Sequence, residues 1–263
     1  MTKLSAHHAG QFVKLLYMGN SSVGKTGSLV SLVKAGYQLR ILDMDNGLDV
    51  LKAYIEQECP DKIDAVDYES RRDTYKASPL GAIIQGVPKA YIDALKLMTG
   101  WSDKTIPAEW GPQTIFIIDS FTGLARAAYE WARALNPNAK EPRTWFYAAQ
   151  QACENVLSLL TNEKFRANVI IIAHVDFREQ QDGTLKGFAK SIGKALGDTI
   201  PTYFNNVVLA RSSGSGTAVK REIMTVSTPM VDLKSSVPFK LDPSLPLGTG
   251  LATLFEKLKG THT

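Results

Sequence analysis

The stretch Tyr17–Leu29, YMGNSSVGKTGSL, follows on the apolar run FVKLLYM (Phe12–Met18). Its centre sets Gly19, Gly24, Lys25 and Thr26 in the order Gly-x-x-x-x-Gly-Lys-Thr. Each residue type has a task at that spacing. The glycines let backbone N–H groups from Asn20, Ser21, Ser22, Val23 and Gly27 wrap an anion. Lys25 reaches the outer phosphates of a nucleotide, and Thr26 offers a hydroxyl to Mg²⁺. A helix opening at the end of such a loop favours negative charge at its N-terminus. The motif requires a strand before it and a helix after it. Both are predicted: a buried strand over Gln11–Met18, and a helix over Lys25–Ala35 carrying Leu29, Leu32 and Val33 and stopped by Gly36.

Strand and helix signals alternate onward from the loop. Strands are predicted at Gln38–Asp45, Ile63–Tyr68, Thr114–Asp119 (TIFIID) and Asn168–Ala173 (NVIIIA). Helices are predicted at Leu48–Gln57, Pro88–Leu97, Phe121–Leu135 and Thr144–Leu160, with Gly100–Gln113 irregular. NNVVLAR and AVKREIMTVS read as two strands joined by Ser212–Gly216, and a short helix is expected around Leu251–Leu258. Continuous apolar strands alternating with helices imply an α/β fold with a mostly parallel sheet covered on both faces. One domain over residues 1–263 is expected, with a core of about 12–227 and a short C-terminal extension over 228–263.

Composition narrows the class. A chain of 263 residues with 44% hydrophobic and 21% charged residues is that of an ordinary globular protein able to bury a large core. The net charge of +4 permits a polyanionic partner without demanding one. Cys59 and Cys153 have no metal-ligand spacing and read as buried thiols of a reducing compartment. His7, His8, His174 and His262 form no zinc set. The first eleven residues hold no signal-peptide core and no later run approaches a membrane span, so a cytoplasmic protein without membrane contact is expected.

Two further segments carry chemistry. IFIIDS ends a hydrophobic strand in Asp119, which can hold Mg²⁺ across from Thr26 or merely cap the next helix. The residue after it is Ser120 rather than a glutamate that would polarise water, so a base must come from elsewhere. RILDMDNGLD places Asp43 and Asp45 at the carboxyl end of the strand after the loop helix, the edge that faces the ligand in a parallel sheet. A carboxylate there can orient water against the γ-phosphate. The alternative is a turn, since Asp-Asn-Gly is also strong turn chemistry.

GNSSVGKT, ILDMDNGLD, IFIIDS and VIIIAHV, in this order, resemble the ATPase core of RecA-type recombinases. More closely they look like the short, core-only RecA-like proteins of bacteriophages, which are ATP-dependent single-strand annealing proteins. The resemblance covers about residues 12–227 and implies a RecA-like P-loop NTPase fold, ATP and Mg²⁺ as cofactors, and a slow, DNA-stimulated ATPase. It implies annealing or strand exchange on single-stranded DNA in phage recombination, a homo-oligomeric filament or ring, and a single-strand binding protein as helper. If phage-encoded, the chain works in the host bacterial cytoplasm. It leaves no room for RecA's own N-terminal assembly module and C-terminal domain.

The same resemblance distributes roles. The recombinase motif Asp-Ala-Glu is matched by Asp43-Met44-Asp45, making Asp45 the base, one methylene shorter than glutamate. The recombinase γ-phosphate sensor is an Asn-Gln pair; this chain has Ala173-His174, and His174 either donates that hydrogen bond or simply packs at the strand end. The segment after His174 corresponds to a second DNA loop. Lys186, Lys190 and Lys194 there have a spacing of four, one face if helical, with Phe188 among them. Ordinary surface lysines are the competing reading. Lys140 and Arg143 fall where a first DNA loop would be, and Lys220 or Arg221 where recombinases reach into a neighbour's ATP. A nucleotide-switched assembly protein without DNA function, or a helicase motor of the same fold, are the rival readings.

Overall fold

In the computed structural model, which describes residues 11–79 and 81–259, six strands run parallel through the centre of one eight-stranded sheet. In chain order these are β1 (Lys14–Gly19), β2 (Gln38–Asp43), β3 (Val66–Ser70), β6 (Gly111–Asp119), β7 (Ala167–Ala173) and β10 (Asn206–Ser213). Two more, β11 (Lys220–Met224) and β12 (Ser244–Pro246), add antiparallel to the β10 edge. The order across the sheet is β12-β11-β10-β1-β7-β6-β2-β3. Thus β7 stands between the strand that leads into the glycine loop and the strand that ends in Asp119.

Period-two alternation divides the core between the two faces. Leu15 and Tyr17 of β1 join Ile115, Ile117, Ile170 and Ile172 on one face. Leu16 and Met18 join Phe116, Ile118, Val169 and Ile171 on the other. The first face is covered by α1 (Lys25–Ser28), α2 (Val30–Lys34), α3 (Asp49–Glu58) and α8 (Leu247–Lys259). The second is covered by α4 (Ala90–Thr99), α5 (Phe121–Leu135) and α6 (Pro142–Thr161). β12 and α8 lie beyond residue 227, and Leu251, Leu254, Phe255 and Leu258 are buried in the first face. The last segment therefore completes this core.

Several elements differ from the sequence expectation. The helix expected over Lys25–Ala35 is divided at Leu29. The Ser28 hydroxyl donates to the Lys25 carbonyl at 2.7 Å and the Ser31 hydroxyl to the Ser28 carbonyl at 2.8 Å. These bonds compete with the helix ladder and tighten the turn. Residues 60–65 form a 3₁₀ turn, so β3 begins at Val66 rather than Ile63. Two hairpins were not anticipated, β4 (Tyr75–Ser78) with β5 (Gly81–Ile84) and β8 (Val175–Glu179) with β9 (Leu185–Ala189). Between β9 and β10 the one α-helix is the short α7 (Lys194–Thr199), followed by a 3₁₀ turn over Ile200–Tyr203. Lys186 lies on a strand, Lys190 beyond it and Lys194 at the start of α7, so the three lysines share no helical face.

Cys59 and Cys153 are free and buried. His7, His8 and His262 lie outside the described residues. No helix among the described residues is long and apolar enough to cross a membrane.

Candidate nucleotide site

Strand register brings the chemistry to one sheet edge. Asp43 pairs with Asp119, Asp119 with Ile172, Met18 with Ala173 and Gly19 with Ala210. Every segment singled out for phosphate chemistry leaves its strand at this edge. The loop between β1 and α1 needs glycine at two places. A Cβ on Gly19 would sit 2.7 Å from the Ala210 carbonyl oxygen. Gly24 has φ of +98° and would drive a Cβ to 2.7 Å from Leu247.

Around the loop opens a cleft of about 800 Å³. Lys25 is buried at its floor and donates to the Gly19 and Asn20 carbonyls, both at 2.8 Å. Burial lowers its ammonium to about 8, against the raising influence of Asp119 and Asp45. The Thr26 hydroxyl donates to Asp119 Oδ2 at 2.7 Å. Burial lifts Asp119 to about 6; the Thr26 bond and Lys25 oppose this, while the charges of Asp45 and Asp43 add to it. A desolvated carboxylate beside a hydroxyl, next to a phosphate cradle, suits a hard divalent cation. No group of three or more His, Cys, Asp or Glu forms a metal cluster among the described residues.

Asp43 and Asp45 separate cleanly. Asp43 is buried, and its Oδ1 accepts the backbone N–H of Asp45 at 3.1 Å and of Asn46 at 2.7 Å. It is the acceptor of the turn that sequence chemistry foresaw. Asp45 lines the cleft, with Oδ2 3.6 Å from His174 Nε2. Burial would raise its pKa, but hydrogen bonds from His174 and Ser120 and the His174 and Lys25 charges bring it below the ordinary value. His174 bridges cleft and loop, with Nδ1 3.4 Å from the Ser21 hydroxyl. Its backbone N–H donates to Thr122 Oγ1 at 3.2 Å.

The expected DNA and trans-acting residues have varied settings. Lys186 is ion-paired with Asp232 at 2.7 Å. Phe188 is half-buried under the Arg178 guanidinium, 4.7 Å from the ring centroid. Lys190 and Lys194 are exposed, as are Lys140 and Arg143. Lys220 pairs with Glu222 at 2.8 Å. Arg221 lines the nucleotide cleft of its own chain.

Sequence reasoning missed the apolar wall of this cleft: Val50 and Tyr54 on α3, with Pro246 at the end of β12 and Leu247 at the start of α8. Val50 is 43% and Tyr54 37% exposed, whereas Leu51 and Ile55 beside them are buried. A second apolar pair at helical spacing, off the buried stripe, was the available signal. Leu247 had none, being distant in sequence.

With β7 between the loop strand and the Asp119 strand, and all the chemistry on one edge of a mostly parallel sheet, the fold is that of a RecA-like P-loop NTPase. The chain belongs to the AAA domain family, whose pattern matches residues 11–237, and is an ATPase core of the RecA-like kind. No curated protein sequence matches it significantly. Among solved structures it is similar to the RadB recombinase, at 16% identity over 81% of this chain and 80% of that one, with a TM-score of 0.48. It is also similar to a KaiC-like protein of Pyrococcus horikoshii (10% identity, 86% and 82% covered, TM-score 0.43). The flagellar accessory protein FlaH of Methanocaldococcus jannaschii is comparable (11% identity, 89% and 83% covered, TM-score 0.42).

Proposed function

We propose that this ATPase is Mg²⁺-dependent, binds single-stranded DNA, and couples ATP turnover to annealing or strand exchange in phage recombination, working as a homo-oligomer. The observation that carries the catalytic half is the placement of Asp45. Its carboxylate faces the phosphate cleft, stays ionised, and is held by a histidine that also touches the loop. When nucleotide binds, Lys25 turns from the Gly19 and Asn20 carbonyls to the phosphates, while Val50, Tyr54 and Leu247 offer a flat apolar wall to the base. Thr26 and Asp119 would hold Mg²⁺, and the ion would supply positive charge against the phosphates. Asp45 accepts the proton of the attacking water, and His174, at van der Waals reach of both loop and base, registers the γ-phosphate.

The DNA half has a physical link to support it. The Lys190 N–H donates to the His174 carbonyl at 2.7 Å, and the Lys190 carbonyl accepts from Thr122 Oγ1 at 3.0 Å. A strand held near Lys190 and Lys194 therefore bears on the residue that contacts Asp45. The test is ATP turnover with and without single-stranded DNA, in wild type and Lys25→Ala. Stimulation by single strands and loss of all turnover in Lys25→Ala are expected. Turnover indifferent to DNA would leave a nucleotide-switched ATPase and remove the recombination role; wild-type turnover in Lys25→Ala would remove the phosphate-loop assignment.

A further inference from the structure

A second cleft of about 280 Å³ opens on the far side of Asp45, which lines both it and the nucleotide site. Arg71, Arg72, Arg126 and Tyr75 form much of its wall. Through Tyr75 and Glu130 it adjoins a third cleft, of about 500 Å³, walled by the β4–β5 hairpin, Pro137 and Trp145. The two make one groove running from the proposed base to the segment that precedes α6.

Charges along this groove differ in how they are engaged, and Asp45 and Asp73 keep theirs. Glu69 is tied to Arg71 at 2.8 Å and Glu130 to Arg133 at 3.1 Å. Asp73 accepts the Lys89 and Ala90 N–H groups, at 2.7 and 3.1 Å, and Asp45 faces His174. Arg72 and Arg126 are exposed, and no ion pair engages either among the described residues. At the other end, exposed Lys140 and Arg143, with exposed Glu141 between them, lie in the segment whose ends, Pro137 and Trp145, wall the groove. Between the two cationic ends stand rings: Tyr75 is 52% exposed, and half-buried Trp145 lines the cleft wall with its indole N–H donated to the Asn136 carbonyl.

Resting on the reading above that the protein binds single-stranded DNA, we infer that one strand lies in this groove, with phosphates on Arg72 and Arg126 and bases against Tyr75 and Trp145. Guanidinium forks match phosphate oxygens, and exposed rings give sequence-tolerant stacking. An acidic peptide would satisfy the arginines but bring no flat partner for the rings. By contrast Lys186 and Phe188, expected from sequence to meet DNA, already have partners in Asp232 and Arg178. A strand in the groove touches the wall that carries Asp45, giving DNA a direct route to the rate of hydrolysis.

The test measures fluorescence anisotropy of a labelled oligothymidylate with wild type, Arg72→Ala/Arg126→Ala, Tyr75→Ala and Lys190→Ala/Lys194→Ala. A fluorescent ATP analogue serves as the check of fold for each, and Arg72→Gln/Arg126→Gln is a second pair should the first misfold. The arginine pair should lose affinity, with a log–log salt slope flatter by about 1.4, which is roughly 0.7 for each phosphate contact. Tyr75→Ala should bind on the order of tenfold more weakly at an unchanged slope. If the groove variants bind as wild type while the lysine pair loses affinity, the groove inference falls and the single-strand function stands. If wild type does not bind oligothymidylate, both fall. Displacement by polyglutamate at equal charge would make the groove a site for acidic peptide and overturn the inference alone.

Discussion

Gly123 offers a test of Asp45 that leaves every charged group in place. It lies in the first turn of α5, where the Ser120 side chain caps its N–H at 3.2 Å. An added Cβ would stand 2.6 Å from Asp45 Oδ1, 2.9 Å from Met44 Cβ and 3.2 Å from the Met44 carbonyl oxygen. Carbon and oxygen need about 3.3 Å, so in Gly123→Ala the carboxylate must withdraw by roughly 0.7 Å. Carboxylate oxygens at the end of a side chain yield easily, but Met44 Cβ is fixed by its backbone, so the turn after β2 must also shift. This overpacking costs about 1–3 kcal/mol, which the gain of up to about 1 kcal/mol in helix propensity offsets only in part. The fold should persist, with a Tm a few degrees below wild type. Catalysis should not, because a misplacement near 1 Å costs on the order of 100-fold. We expect kcat to fall roughly 10- to 100-fold, with ATP affinity unchanged, since Lys25 and Thr26 are untouched. Steady-state kinetics, nucleotide titration and thermal melting of the same preparation decide it. Unchanged kcat in a folded Gly123→Ala would refute Asp45 as the group that positions water.

Two more predictions separate the carboxylates of this edge. Asp45→Asn should keep ATP affinity and lose about 10²- to 10⁴-fold in kcat, whereas Asp43→Ala should lower stability by about 1–3 kcal/mol, because two backbone N–H groups lose their acceptor. If Asp43→Asn stops turnover and Asp45→Asn leaves it untouched, the base lies two residues earlier. Asp119 has a folded pKa of about 6 against 3.8 for an ordinary aspartate, so its ionised form destabilises the nucleotide-free protein above about pH 6, and this cost fades as pH falls toward 4. Asp119→Asn should thus raise the nucleotide-free stability by up to about 3 kcal/mol near neutral pH and by little near pH 4, while weakening Mg²⁺-dependent ATP binding; melting curves at the two pH values that show no difference would contradict the buried charge.

Much of this architecture is legible because burial imposes patterns on sequence. TIFIID and NVIIIA are continuous apolar runs since both faces of β6 and β7 are covered, and α5 matches its expected bounds because Ser120 caps it and its apolar stripe is unbroken. The β4–β5 hairpin left no such trace: Tyr75, Lys76, Ala77, Ala82 and Ile83 are exposed, so neither face selects for apolar residues. At β8–β9 the cue existed and was outweighed. Asp182-Gly183 is a hairpin signal between VDFRE and LKGFA, but lysines four apart drew attention to a helical face instead. Arg221 shows a different limit, because which cleft a strand-edge residue enters depends on the packing of α8 and β12, which sequence spacing does not encode.

The choice between Asp43 and Asp45 lies beyond pattern for a reason worth stating physically. Residues two apart on a strand point to the same side, so alternation gives both carboxylates the same prospect of facing nucleotide. The strand ends at Asp43, however, and Asn46 takes a φ of +58°, a left-handed position that asparagine tolerates better than most residues. The chain turns there, and the turn needs an acceptor for two consecutive N–H groups, which Asp43 supplies from its buried place. That commitment engages Asp43 in the turn and leaves Asp45 past the sheet edge, facing His174, which stands between it and the loop. The turn reading of Asp-Met-Asp-Asn-Gly thus holds for Asp43, and the base role proposed above for Asp45 is compatible with it, since the turn leaves the Asp45 carboxylate on the cleft.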